Sequence, residues 1–509
     1  MGHRYLLAHD LGTTGNKATL FDVDEGAVAV STFEPYPTFY PQAGWAEQDP
    51  ADWQRAIWDC TRRLIAQAGI APGAIAAVSF SGHMQGALLV DRQGAPLGRA
   101  IIWADQRATA QADFIGSVCG AEAVYRLTGQ RLSPTYTAPK VLWVKEHLPA
   151  AYGQAHKVLQ SKDYAAFLLT GEFGTDDSDA SATLLFDLTE RRWASQTMAA
   201  LGLKADLFPE VHASTAVLGH VTPSAAALSG LLAGTPVVIG GGDGACATVG
   251  AGSVREGEAY AYLGSSSWIA VSTRRPIFDP QQRTFTLAHL MPGFCFPLGT
   301  MQSAGGSYAW LERLLHPGGE GQGLAALDAL AANVPAGAGG LLFLPYLMGE
   351  RSPYWNPLAR GAFVGLAMPH GQAEAARAVL EGVALNLRLI LNALRAQDVQ
   401  ISRLLLIGGG AKSAVWRQIL ADVLDLPVWL PSLTMEATAL GAIVAGGVGV
   451  GLFADFSVMD RLISLREAEH PDLTRRAHYA ALLDLFEQTY VALDPIFAGL
   501  ARLPGANHV

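Results

Sequence analysis

The chain has 509 residues, half of them hydrophobic and only 16% charged, which is enough to bury an extensive core and excludes a disordered polypeptide. Its formal net charge is -10 and no block of lysine and arginine occurs, which excludes an electrostatic footprint for nucleic acid. The four cysteines, Cys60, Cys119, Cys246 and Cys295, form no C-x-x-C pair, so neither a zinc site nor a disulfide framework is expected, and a reducing cytoplasm fits.

At the N-terminus, "MGHRYLLAHDLG" carries an apolar run too short for a signal peptide. Residues 4–23 read as strand, small polar turn, strand, and "GAVAVSTFEPYPT" supplies a third strand. "PADWQRAIWDCTRRLIAQAG" has helical spacing, with Asp49-Pro50 as its entry signal and Gly69 as its stop. "IAAVSFSGHMQGALLVD" is again strand, glycine turn, strand, and residues 139–170 are mainly helical. "GTPVVIGGGDG" reads as a buried strand ending in glycines. The opening pattern then restarts in "GEAYAYLGSSSWIAVST", 257–273. "EAARAVLEGVALNLRLILNALRA" is a long amphipathic helix, and residues 401–430 read as strand, glycine loop, helix, strand. The uncharged stretch 437–454 approaches the length of a membrane span, but its five glycines and lack of an aromatic belt predict a tightly packed interior helix and loop. Two related halves are expected, 1–248 and 249–509, packed around a cleft, where small-molecule sites commonly lie.

Three small-residue turns follow strands: "DLGTTGNK" (10–17), "LGSSSW" (263–268) and "IGGGAKS" (407–413). Concave sets of backbone N–H groups bind anions, and three such turns spread over both halves point to a polyphosphate held between them. Asp10 and Lys17 flank the first turn. An aspartate beside phosphates is tolerated when magnesium lies between them. Lys17 either balances phosphate charge or is a solvated strand residue. Walker-type, protein-kinase, G-x-S-x-G and H-E-x-x-H motifs are absent.

Gly240, Gly242 and Ala245 imitate a dinucleotide-binding fingerprint, but Asp243 would put a negative charge where the pyrophosphate belongs, and no acid follows near Gly264. Asp243 fits better as a general base that accepts the proton of a sugar or polyol hydroxyl as it attacks phosphorus. An Asx-turn or helix N-cap is the competing role for this residue.

These segments together resemble the FGGY family of carbohydrate kinases, over roughly residues 4–450. "FLPYLMGERSPYWNPLARGAFVGL", 343–366, is similar to the second family signature along its whole length, and "YTAPKVLWVKEH" to the first. "WADQR", "SDASATLLFDLTERRW" and "EATALGAIVAG" follow in family order. The resemblance implies an α/β fold of two ribonuclease-H-like domains of the actin, heat-shock ATPase and sugar kinase type around a central cleft. It also implies transfer of the ATP γ-phosphate to a sugar hydroxyl.

Carried over residue by residue, it implies Asp10 near Mg2+ and Gly12, Thr13, Thr14 and Lys17 at the phosphates. Ser265 and Ser266 are implied in the second phosphate loop, and Gly305, Gly409, Gly410, Ala411 and Ser413 at the nucleotide. Asp243 is implied as the base. His83, Met84, Gln85, Trp103 and Asp105 are implied, with Asp243, to line the sugar pocket.

Within the family, "AEQDPADWQ", "TAPKVLWV" and "GGGAKSAVWRQILADVL" are most similar to xylulokinases, which implies D-xylulose as substrate. Those enzymes usually read Met-His where this chain has Met84-Gln85 and Asp-Asn where it has Asp243-Gly244, which leaves another pentulose or polyol as the alternative sugar. The expected partners are a small sugar and ATP, with no nucleic acid and no membrane, and with a homodimer left open. A non-enzymatic nucleotide-dependent binding module is the competing class of function; a dehydrogenase would require a nicotinamide site.

Overall fold

The computed structural model describes residues 4–316, 323–432 and 436–503. The alternation on either side of the first small turn forms a hairpin of Tyr5–Leu11 (β1) and Gly15–Asp22 (β2), and Ala27–Pro35 (β3) continues it antiparallel. On the other side of β1, Ile75–Gly82 (β4) runs parallel to it. Val217–His220 (β5) and Pro236–Val238 (β6) complete the order β5-β6-β4-β1-β2-β3, and the short strand Gly241–Gly242 also pairs with the end of β4. The helix Pro50–Ala68 (α1) covers one face of this sheet. Asp49 caps it by accepting from the Ala51 N–H at 3.0 Å, Pro50 opens it, and Gly69 closes it in the left-handed region at φ 63. Trp53, Ile57 and Leu64 of α1 share a core with Leu7 and Leu20 of the hairpin.

The second sheet repeats this plan. Its strands are Ala259–Leu263 (β7), Ser267–Val271 (β8), Phe285–Ala288 (β9), Cys295–Met301 (β10), Leu404–Ile407 (β11), Val428–Pro431 (β12) and Leu465–Glu469 (β13), in the order β9-β10-β8-β7-β11-β12-β13. Strand β8 is antiparallel to both β10 and β7, and β11 and β12 continue parallel to β7. The first sheet arranges β3, β2 and β1, then β4 and β6, in the same way. The chain is therefore two ribonuclease-H-like units in tandem.

The helices that matter for the site are Ser161–Thr170 (α2), Asp177–Ser181 (α3), Asp243–Gly250 (α4), Gly305–Leu315 (α5), Gln372–Arg395 (α6), Ala414–Leu424 (α7) and Ala437–Gly449 (α8). Helices α6 and α7 pack with Ala259, Ile269 and Leu404 of the second sheet. Helices α4 and α8 share a central core with Leu6 and Ala8 of the first sheet and Tyr260 and Leu405 of the second. They cross closely: a Cβ on Gly441 would lie 2.1 Å from the Cys246 carbonyl oxygen. The uncharged stretch is thus the interior helix its glycines predict, and among the described residues no helix is long and apolar enough to cross a membrane. The boundary expected at 248/249 falls inside α4; the chain leaves the first unit after this helix, through Ala251 and Gly252, the latter at φ 91.

Candidate active site

All three small-residue turns leave the carboxyl ends of strands, β1 in the first sheet and the neighbours β7 and β11 in the second, the edge at which open α/β sheets bind ligands. In the first turn the carbonyls are held from outside. Tyr36 donates its hydroxyl to the Gly12 oxygen at 2.6 Å, Gln48 Nε2 donates to the Thr13 oxygen at 2.7 Å, and the Tyr36 N–H donates to the Thr14 oxygen at 3.2 Å. Among the described residues the amides of Thr13 and Thr14 are left without partners, which is the disposition an anion requires. In the second turn Ser265 is exposed and Ser266 half-buried. The Ala304 and Gly306 amides donate to the Ser265 oxygen at 2.8 and 3.0 Å, and the Gly305 amide donates to the Gly264 oxygen at 2.8 Å. Gly305, implied at the nucleotide, gives its N–H to bracing this turn. In the third, Gly409 is exposed, Gly410 packs on Leu263, and Ala411 is buried. The Ser413 hydroxyl accepts from the Trp416 N–H at 3.2 Å, so this side chain caps α7.

Two carboxylates meet at the centre. Asp10 stands near the end of β1, and Asp243 is the first residue of α4; both are half-buried. The Asp243 carboxyl is raised to about 7, by burial first and by the charge of Asp10 second, against the Gly244 N–H, which donates to its Oδ1 at 2.7 Å. Asp10 is also raised by burial, against hydrogen bonding from Thr438 and Ser81 and the charge of Lys17. Its Oδ2 accepts from the Thr438 hydroxyl of α8 at 2.6 Å. Lys17 lies opposite Asp10 in the hairpin register and pairs with Glu436 at 3.2 Å, so it is neither a free solvated residue nor an unengaged phosphate ligand. Among the described residues no three His, Cys, Asp or Glu side chains form a metal-holding group. One hard carboxylate beside a second fits magnesium, which keeps most of its waters and takes few protein ligands.

The expected sugar pocket is organised by a residue that sequence reading passed over. Lys140, wholly buried in an apolar helix, donates to the carbonyls of Gln85 and Ile102 at 2.8 Å each and of Thr135 at 2.5 Å. Burial lowers its pKa to about 7. It thereby gathers the turn after β4, the segment before Trp103 and the start of the first signature. Its only signal in the sequence is a lysine amid apolar helical residues. Gln85 adopts the left-handed region at φ 66, and Met84 lies against Gly242. His83 is buried edge-on to Trp53 with ring centroids 5.5 Å apart, and burial lowers its pKa to about 4, so its ring is neutral at physiological pH. Trp103 is partly exposed and donates Nε1–H to Thr13 Oγ1 at 2.9 Å. Asp105 corrects the expectation. It is wholly buried, and its Oδ2 accepts from the Ala46 N–H at 2.6 Å and from Arg107 Nη2 at 2.7 Å. Its carboxylate anchors Arg107 and does not line the pocket.

Residues 5–250 match the N-terminal domain and residues 259–450 the C-terminal domain of the FGGY family of carbohydrate kinases. A xylulose kinase from Klebsiella pneumoniae is 34% identical over 492 residues, covering 96% of this chain and 99% of the relative. A gluconokinase from Bacillus licheniformis is 31% identical over 510 residues, covering 98% of each. The crystal structure of the xylulose kinase from Rhodospirillum rubrum is similar with a TM-score of 0.91 at 32% identity, covering 97% of this chain and 100% of the other. On these grounds the chain belongs to the FGGY family of carbohydrate kinases and is an ATP-dependent sugar kinase.

Proposed function

We propose that the protein phosphorylates a ketose, D-xylulose foremost, to xylulose 5-phosphate, with Asp243 as general base. The observation that carries this reading is the Asp243 carboxylate itself. It is half-buried at the start of α4, and its pKa of about 7 is matched to taking a proton near neutral pH. The sugar hydroxyl gives its proton to Asp243 as its oxygen bonds to the γ-phosphorus, and the bond from phosphorus to the β-phosphate oxygen breaks to release ADP. The amides of Thr13 and Thr14, the hydroxyls of Ser265 and Ser266, and the turn Gly409–Ala411 hold the nucleotide. Asp10 would hold the magnesium ion, which when bound offsets charge on the phosphates. Met84, Gln85 and Trp103, with His83 behind them, form the sugar end, and Lys140 and Asp105 keep that end in shape.

The xylulose kinases among the relatives support D-xylulose. A gluconokinase of comparable identity favours a second reading, in which Gln85 and Gly244 admit a different polyhydroxy acceptor. A coupled ADP-release assay over ketoses, polyols and gluconate separates the two. D-xylulose is expected to show the highest kcat/KM; a higher value for gluconate or D-ribulose would overturn the sugar assignment and leave the kinase assignment standing.

A further inference from the structure

Behind the glycine run lies a buried group of ions that phosphoryl transfer, as described above, does not use. Lys162 is wholly buried near the start of α2, with its Nζ 2.6 Å from Asp163 Oδ1, 3.0 Å from Asp176 Oδ1 and 3.2 Å from Asp179 Oδ2. All three carboxylates are buried as well. One cation stands among three acids, and burial pushes Asp179 well above the usual carboxylate range.

Asp176 is the member that reaches toward the active site. Its Oδ2 accepts from Ser178 Oγ at 2.5 Å, from Ser214 Oγ at 2.7 Å and from the Ser178 N–H at 2.9 Å. Ser178 Oγ in turn accepts the Gly242 N–H at 2.9 Å, and the Ser214 carbonyl accepts the Gly240 N–H at 3.0 Å. One carboxylate oxygen thus holds, through two serines, alternate amides of the run that ends in Asp243. Gly241 permits the approach, since a Cβ there would lie 2.8 Å from Ser178 Oγ and 3.2 Å from Asp176 Oδ2. The same helix start grips the sugar-side turn, where Ser161 Oγ donates to the His83 carbonyl at 3.1 Å.

We propose that Asp176, acting through Ser178, is a positioning residue for phosphoryl transfer: it fixes Gly242 and so the direction in which the Asp243 carboxylate leaves α4. This rests on Asp243 being the base. The chain of bonds from Asp176 through Ser178 to Gly242 is buried and stiff, and a general base misplaced by a fraction of an ångström loses rate rather than binding.

The test is Ser178→Ala, which spares the contacts of Lys162 and removes the hydroxyl that holds Gly242. Steady-state kinetics with MgATP and sugar are measured for it alone and in the Asp243→Asn background. The expected result is a kcat lower by about ten- to a hundredfold with both KM values changed by less than about twofold. In the Asp243→Asn background the same substitution produces no further loss, because both changes act on one group. Ser214→Ala, a second variant in case Ser178→Ala does not fold, is expected to lower kcat in the same direction. A lower melting temperature with wild-type kcat overturns the proposal, as does a Ser178→Ala loss that multiplies in full with that of Asp243→Asn. Near wild-type turnover of Asp243→Asn itself would instead overturn the assignment of the base.

Discussion

Trp103 donates its indole N–H to the hydroxyl of Thr13 at 2.9 Å, tying the segment expected at the sugar to the first phosphate loop. The partners are 90 positions apart in the chain, and Lys140 holds the same segment through the Ile102 carbonyl. With Thr13 at ATP and Trp103 at the sugar, as proposed, such a link would couple the two substrates, because whatever orders one end of the bond orders the other. Trp103→Phe keeps the ring and removes the bond, which is worth about 0.5–1.5 kcal/mol. The factor by which sugar tightens ATP binding is therefore expected to shrink by roughly two- to tenfold. Titration calorimetry of ATP with and without sugar measures it; an unchanged factor would mean that the bond carries no coupling.

The elevated carboxyl of Asp243 has a consequence for stability. Its folded-state pKa of about 7 lies above the ordinary 3.8, so between these values the folded protein holds a proton that the unfolded chain has released. The stability this proton supplies is complete below the lower value and is lost as pH rises through the upper one. Asn cannot ionise. Asp243→Asn is therefore expected to melt at nearly the wild-type temperature near about pH 4 and several degrees higher near about pH 8. Differential scanning calorimetry without nucleotide or sugar checks this; a difference independent of pH would contradict the stated pKa.

Two glycines should respond oppositely to one added methyl group. Nothing lies within 4 Å of a Cβ placed on Gly409, whereas on Gly441 it would sit 2.1 Å from the Cys246 oxygen. Gly409→Ala is expected to keep its stability within about 0.5 kcal/mol. Its KM for ATP should rise about tenfold if, as proposed, the third turn holds the nucleotide, since the methyl enters that open space. Gly441→Ala forces α4 and α8 apart and should lose at least about 1–3 kcal/mol in urea denaturation. A normal KM for ATP in Gly409→Ala would take the third turn out of the nucleotide site.

The strand–turn–strand units at 5–22 and 259–271 are legible in the sequence because apolar runs flank each small turn, and α1 because its Asp49, Pro50 and Gly69 signals all point the same way. The third strand of the second unit, Cys295–Met301, is not, because an insertion carrying Phe285–Ala288 separates it from its partner. Asp105 is put at the sugar by its motif, which does not announce that its carboxylate is taken by Arg107 two residues on. Gly305 is implied at the nucleotide, yet its amide braces Gly264. The Lys162 group was invisible because its members lie on separate elements, with Asp176 and Asp179 arriving from the chain beyond α2. Periodicity reports which face is buried; it does not report which buried charges meet.

Whether Asp243 takes the proton of the attacking sugar hydroxyl is decided by single-turnover phosphoryl transfer from MgATP to D-xylulose in wild type and Asp243→Asn. Removal of a general base should slow the step by roughly 10²–10⁴-fold while the affinity for MgATP, measured in parallel, stays within about twofold of wild type. A transfer rate in Asp243→Asn close to that of the wild type, with product formed at the same hydroxyl, would contradict that role.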